Sequence, residues 1–319
     1  MLRSLLIYLS QASWARQLVT RWEFARRAAS RFIAGEELDD AIGVVKSLNR
    51  KNINATLDHL GEHTTNPEKA RQATEDIIEI LSRIEREGVR SNVSIKLTQI
   101  GLAVDEALCV ENLQRILDTA VNLKTFVRID MEDSQWVEKT LNIFHEAQDR
   151  CSCENVGIVI QSYLFRSEED VARLLQTGSR IRLCKGAYKE PEEIAFPEKS
   201  DVDANFDLIV SQLLNGSSEN SHPTISADGK IPPIPAIATH DEKRIVFTKK
   251  ELEKSGYPKN AVEFQMLHGI RRDLQESLAS EGYPVRVYVP YGSEWYPYFT
   301  RRLAERPANL WFFISNFFR

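Results

Sequence analysis

From about residue 50 the chain alternates short β-branched runs with longer stretches rich in Glu, Lys, Arg, Leu and Ala, and this alternation restricts its fold more than any other feature. The runs lie at 55–60, 93–97, 126–131, 156–161, 180–188, 234–240, 261–267 and 285–290. Helical spacing fills the intervals, as in 68–87, 134–149 and 167–176. Strand–helix repetition implies parallel strands joined by right-handed crossovers. Eight units in the remaining chain match the count and length of a (β/α)8 barrel. The competing doubly wound sheet usually carries a glycine-rich nucleotide turn, and no G-x-G-x-x-G occurs. The sequence therefore predicts an α/β protein, with a TIM-type barrel over 51–319 preceded by an N-terminal helical segment over 1–50 that packs on or anchors it.

Composition narrows the function classes. Hydrophobic residues at 42% and charged residues at 27% exclude a disordered chain and a multi-span membrane protein. A net charge of −5 gives no basic field for nucleic acid. Cys109, Cys151, Cys153 and Cys184 form no disulfide framework, and the lone C-x-C at 151–153 lacks the second ligand pair of structural zinc. Reduced cysteines and no metal are expected. The stretch 215–235, rich in Gly, Ser and Pro, reads as a mobile loop before the sixth strand.

Residues 1–34 hold six arginines and a single acid, Glu23. The apolar run 5–9 is too short to span a bilayer or to serve as a secretory core. Three readings fit: a transit peptide, a membrane-surface helix with Trp14, Trp22 and Phe24 as interfacial groups, or a helix packed on the domain. They correspond to a mitochondrial matrix protein, a peripheral protein on the inner membrane face, and a cytoplasmic one.

The strands carry an unusual interior. Alternate side chains of a barrel strand face the inside and the helix layer. In the second strand Val93, Ile95 and Leu97 oppose Ser94 and Lys96; in the third Val127 and Ile129 oppose Arg128 and Asp130. The fifth sets Arg182 and Cys184, the seventh Glu263 and Gln265, and the eighth Arg286 and Tyr288 against apolar partners. An interior so polar is costly unless its charges pair or bind something polar. Arg128, Glu263 and Arg286 sit below the strand ends and suit an internal ion network. Lys96, Asp130, Gln161, Tyr188, His240 and Tyr288 sit near the carboxyl ends, where barrel active sites are built.

A second signal follows the eighth strand. Tyr298, Arg301, Arg302 and Glu305 share one helix face, and the two adjacent arginines diverge enough to flank one anion. A solvated face with an Arg301–Glu305 pair is the plainer alternative.

Taken together, the strings SIKLTQIGL (94–102), FVRIDME (126–132), IQSYLFR (160–166), RLCKGAY (182–188), ATHDEKR (238–244), EFQMLHGIR (263–271), VRVYVPYG (285–292) and YFTRRLAE (298–305) resemble the proline dehydrogenase family, single-function bacterial type. The resemblance implies a distorted flavin-binding barrel that oxidises L-proline to Δ1-pyrroline-5-carboxylate by hydride transfer to N5 of FAD, with electrons passed to a membrane quinone. It also implies roles. Arg301, Arg302 and Lys96 hold the proline carboxylate, and Asp130 lies near the amine. Tyr188, Leu267 and Tyr288 wall the ring. Gln161, Arg182, Lys185, Gly186, Ala187, Thr239, His240 and Glu305 contact FAD. Glu62 pairs with an active-site arginine when substrate is absent. The short aromatic loop 291–297 (YGSEWYP) departs from the family pattern and suggests a narrowed entrance. A Schiff-base aldolase or lyase on the same barrel, using Lys96 or Lys185, is the alternative the residues leave open.

Overall fold

The computed structural model describes residues 29–150, 155–216 and 223–305. Its centre is a closed barrel of eight strands in chain order, each parallel to both neighbours. The strands are β1 (Asn54–His59), β2 (Ser91–Ile95), β3 (Val127–Ile129), β4 (Val156–Gln161), β5 (Arg180–Cys184), β6 (Ala236–Ala238), β7 (Glu263–Leu267) and β8 (Val285–Tyr291). Helix α1 (Leu38–Arg50) precedes β1. The crossovers are α2 (Pro67–Glu87), α3 (Glu106–Asn122), α4 (Ser134–Arg150), α5 (Ser167–Gln176), α6 (Lys199–Asn215), α7 (Glu242–Ser255) and α8 (Arg272–Ser280), and α9 (Trp295–Glu305) follows β8.

Local chemistry sets the helix ends. Asn66 caps α2 by accepting from Lys69 N at 3.0 Å, Pro67 supplies the preset first-turn φ, and Gly88 closes the helix in the left-handed region. Between them Ala70, Ile77, Leu81 and Ile84 recur at helical spacing and are buried against the sheet. The apolar parity of the strands, including Val93, Ile129, Leu183 and Val287, fills the layer between barrel and helices and is buried. The fifth run ends as a strand at Cys184 and not at 188, because Gly186 turns the chain at φ +110.

The polar parity divides into two layers. In the lower one Arg286 donates from Nε and Nη2 to both oxygens of Glu263, at 2.8 and 3.0 Å, and from Nη1 to Ala55 O at 2.6 Å. Arg128 does not join that network as expected. Gly157 leaves room across the β3–β4 pairing, and the Arg128 guanidinium fills it, donating to Ile158 O and Arg180 O and lying 4.7 Å from the Phe126 ring centre.

The described part of the low-complexity stretch is a plug and not a mobile loop. Gly229 O accepts from Arg286 at 2.6 Å, Lys230 O from Asn92 at 2.8 Å, and Pro232 O from Arg180. These donors stand on β8, β2 and β5, so the segment closes the amino-terminal end of the barrel. Ser226 and Asp228 bond within the segment, Lys230 reaches Glu85, and the carbonyl groups meet the strand donors.

The 291–297 loop also differs from expectation. Trp295 and Tyr296 are buried, and Trp295 donates to Glu36 at 3.2 Å. Phe299 packs on Trp295 and Phe32, with ring centres 6.0 and 6.1 Å apart. Ala34 N donates to Pro290 O and Gly292 N to Gly35 O, at 2.9 and 3.0 Å. The aromatics thus fasten residues 29–36 to β8 and α9 and leave the barrel entrance alone.

Glu263→Gln removes the only carboxylate bonded to a fully buried guanidinium, and breaking such a pair costs about 3–5 kcal/mol. Urea unfolding should register a loss of that size. Lys51→Ala, which breaks a half-exposed pair with Glu276, should shift the midpoint far less. Equal midpoints for the two variants would mean that the lower layer is not a buried ion pair.

Candidate active site

The carboxyl ends of the strands open into a cavity of about 620 Å³. Lys96 follows β2, Asp130 follows β3, Gln161 ends β4 and Arg182 lies inside β5. Thr239 and His240 follow β6, Leu267 ends β7 and Tyr288 rises from β8. The turn after β5 adds Lys185, Gly186, Ala187 and Tyr188. Helix α9 crosses the mouth and contributes Tyr298, Arg301 and Arg302. Fourteen of the sixteen residues singled out in the sequence therefore share one wall, which is what strand parity and strand-end position require.

Charge is arranged in pairs within it. Asp130 accepts from Arg182 Nη1 at 2.9 Å on one oxygen and from the Tyr288 hydroxyl at 2.8 Å on the other. The Lys96 ammonium stands 3.2 Å from Asp58, 3.4 Å from the Tyr288 hydroxyl and 3.8 Å from Asp130. Arg182 also donates to Ser94 at 3.0 Å and lies 5.6 Å from the Tyr288 ring centre. Its buried Nε has no hydrogen-bond partner. Burial pulls the Lys96 ammonium down, but the carboxylates of Asp58, Asp130, Glu62 and Glu132 outweigh it and hold the group above its ordinary value. Burial and the Asp130 charge push the Tyr288 phenol up, so it stays a hydrogen-bond donor.

This arrangement argues against the Schiff-base alternative. A lysine nucleophile must lose its proton, and Lys96 is held as the ammonium. Lys185 is clamped between Asp203 and Asp241, bonding Asp241 at 2.7 Å, and is a fixed cation at the cavity rim.

The other predicted residues make these contacts. Gly186 presses its backbone against Tyr163: an added Cβ would lie 2.5 Å from the ring. His240 Nε2 accepts from Leu267 N at 3.0 Å, tying the β6 and β7 ends together. Gln161 donates to Glu132 O at 2.9 Å. Arg302 lies 5.1 Å from the Tyr298 ring centre. Glu62 does not line the cavity but grips Arg301 with both oxygens, the longer contact at 3.1 Å. Burial raises the Glu62 carboxyl, and Arg301, Lys96 and His63 more than offset that, leaving it below its ordinary value. The side chain of Glu305 lies outside the described residues, as does most of the arginine-rich segment 1–34.

Two buried acids escaped the sequence reading. Asp58 is 1% exposed, on the interior parity of β1 with Thr56, and that parity was the available signal. Glu132 is fully buried and accepts from Thr98 N at 3.1 Å and Thr98 Oγ1 at 2.5 Å. Its sequence neighbourhood is that of a loop acid, so nothing pointed inward. Among the described residues no cluster of three metal-ligating side chains occurs, and no helix is long and apolar enough to cross a membrane. Cys109 and Cys184 are free thiols.

Comparison with known proteins places this geometry. A family model described as proline dehydrogenase matches residues 41–314. Proline dehydrogenase 2 of Bacillus subtilis is 43% identical over 311 residues, covering 97% of this chain and 96% of that protein. The proline dehydrogenase of Deinococcus radiodurans is 41% identical over 291 residues, covering 90% and 89%. Among solved structures, proline utilization A from Bdellovibrio bacteriovorus, inactivated by N-propargylglycine, superposes with a TM-score of 0.78 at 27% identity. That match covers 88% of this chain and 33% of the larger protein, so the chain spans about a third of it.

Proposed function

The chain belongs to the proline dehydrogenase family, and from that premise we propose that it oxidises L-proline to Δ1-pyrroline-5-carboxylate with FAD and passes the electrons to a membrane quinone, opening proline catabolism to glutamate. The observation that carries this reading is the convergence of Arg301, Arg302 and Lys96 on a cavity that also holds the Asp130–Tyr288 pair. Three cations suit one carboxylate, and a fixed anion suits an amine becoming an iminium.

The residues fit a flavin. Arg182 has a buried Nε–H with no protein acceptor at the cavity, which a polar ring edge would satisfy. Gly186 brings backbone rather than side chain to the wall, and Lys185, held by Asp203 and Asp241, stands at the same wall. Arg182, Gln161, Lys185, Gly186, Ala187, Thr239, His240 and Glu305 would hold the cofactor. When bound, FAD supplies a two-electron acceptor for the hydride leaving C5 of proline. The chain's own residues do the rest. Arg301, Arg302 and Lys96 bind the carboxylate and fix the ring's orientation. Tyr188, Leu267 and Tyr288 wall the ring and exclude water. Asp130 stabilises positive charge growing on nitrogen. Both its oxygens already serve Arg182 and Tyr288, so its part is electrostatic and the amine proton leaves to solvent.

The cofactor is bound without a covalent link. His240 Nε2 is occupied by Leu267 N, and burial pushes the Cys184 thiol up to about 12. Acid precipitation of the purified protein should release a yellow supernatant. Flavin retained in the pellet would contradict this.

Residues 1–34 are proposed to touch the membrane that carries the quinone, and residues 51–319 to form the catalytic domain. Deleting 1–34 should weaken liposome binding and quinone-dependent turnover more than turnover with a soluble dye. Equal liposome binding by both proteins would remove the membrane assignment.

For the carboxylate clamp, Arg301→Met and Arg302→Met each leave a desolvated anion short of charge-assisted bonds, at about 1.5–3 kcal/mol. That corresponds to a roughly 10- to 150-fold fall in kcat/KM for proline with flavin retained. Pyrrolidine, which lacks the carboxylate, should lose little in the same variants. Glu62→Ala should leave proline affinity at or slightly above the parent's, since it frees Arg301. Unchanged proline KM in both arginine variants would sink the clamp.

A further inference from the structure

We propose that Asp58 is a positioning residue for the substrate carboxylate: it holds Lys96 charged and in place at the cavity wall without touching substrate itself. The inference rests on Lys96 belonging to the carboxylate clamp.

Four carboxylates and one phenol face the Lys96 ammonium, from separate elements: Asp58 on β1, Glu62 after β1, Asp130 after β3, Glu132 beyond it, and Tyr288 on β8. Three of the carboxylates are committed elsewhere. Asp130 serves Arg182 and Tyr288, Glu62 grips Arg301, and Glu132 takes both donors of Thr98. Asp58 is the carboxylate closest to Lys96, at 3.2 Å, against 3.8 Å for Asp130. Its other oxygen is buried without a well-formed hydrogen bond, and the same carboxylate acts on the neighbouring Tyr288 phenol, which it pushes up. Lys96 lines the cavity and Asp58 does not. The acid therefore works through the lysine.

Two consequences follow from this placement. Without Asp58 the ammonium loses its nearest anion inside a buried site, so it gives up its proton at lower pH. It is also free to swing toward Asp130, which would draw that carboxylate from Arg182 and take the ammonium from the substrate. Burying a carboxylate at 1% exposure is costly, and the structure accepts that cost beside the one strand-borne lysine of the clamp.

The test compares the flavin-loaded parent, Asp58→Asn, Asp58→Glu and Lys96→Met, following kcat and KM for L-proline from pH 6 to 10. Asp58→Asn is nearly isosteric. It should raise proline KM about tenfold or more, change kcat less, and bring toward the upper end of that pH range an alkaline fall of kcat/KM that in the parent lies above it. Asp58→Glu should restore the alkaline limb while KM stays raised, because the charge returns in a displaced position. Flavin content and turnover of pyrrolidine should follow the parent. A parent-like KM and pH profile in Asp58→Asn overturns the inference, as does a fall in kcat at unchanged KM. If Asp58→Asn loses flavin, Asp58→Glu decides: an alkaline limb displaced downward overturns the inference, and one matching the parent supports it. Lys96→Met separates the two readings. If it leaves proline KM unchanged, the clamp itself fails. If it raises KM while Asp58→Asn behaves as parent, only the role of Asp58 falls.

Discussion

The pairing of buried charges inside the barrel is the condition on which the site depends. A ring of cations at the mouth would repel one another and stay hydrated unless each had a fixed anion. For four of them the described residues show it: Asp58 for Lys96, Asp130 for Arg182, Glu62 for Arg301, and both Asp203 and Asp241 for Lys185. Pairing keeps net charge low enough to bury while leaving donors over. The lower layer lacks that surplus at Arg286, whose guanidinium is saturated by Glu263, Ala55 O and Gly229 O. The upper layer keeps Arg182 Nε unspent. Arg128 keeps unpaired donors too, at Nε and Nη2, so what sets Arg182 apart is that its guanidinium stands at the open cavity.

Much of this was legible in the sequence, for a simple reason. A parallel strand has period two, so a polar residue between two apolar ones must face the interior, and its distance from the strand end sets its height. Lys96, Asp130, Arg182, Glu263, Arg286 and Tyr288 were placed that way, and the structure puts all six where parity says. What was hidden depends on contacts between distant segments. Arg128 has the parity of Arg286, yet it turns to strand carbonyls because Gly157 on the next strand leaves a gap. The Gly-, Ser- and Pro-rich stretch reads as loop, and loop it is, but no local signal tells that its carbonyls meet Arg286, Asn92 and Arg180. Trp295 and Tyr296 look like mouth aromatics until Glu36 and Phe32 arrive from the other end of the described chain. Asp58 was readable in principle from the parity of β1, and Glu132 was not.

The two layers also explain how one barrel bears so many buried charges without losing stability. Where the interior is closed, by the plug below, Arg286 and Arg128 donate to backbone carbonyls, and Arg286 to an acid as well. Backbone acceptors need no desolvated partner charge and cost no side-chain entropy. Where the interior is open, acids do the pairing, because an acid can be exchanged for a ligand's anion and a carbonyl in a strand cannot.

That exchange sets the logic of the Arg301–Glu62 pair. Glu62 titrates below its ordinary value, so the folded chain binds its proton more weakly than the unfolded chain does. The pair therefore adds stability above the ordinary carboxylate range and loses it only as pH falls through the lowered value. Near neutrality protonation does not release Arg301. Release then requires another anion of similar geometry to compete for the same guanidinium. Under the proposed function a substrate carboxylate would do so with an advantage Glu62 lacks, since Arg302 and Lys96 line the same cavity and would bind it together. The amine carried on the same small ring would then come beside Asp130. Under the proposed function a ring bearing both groups is selected: an anion alone would displace Glu62 but bring no positive nitrogen to Asp130, and an amine alone would leave Arg301 in the grip of Glu62.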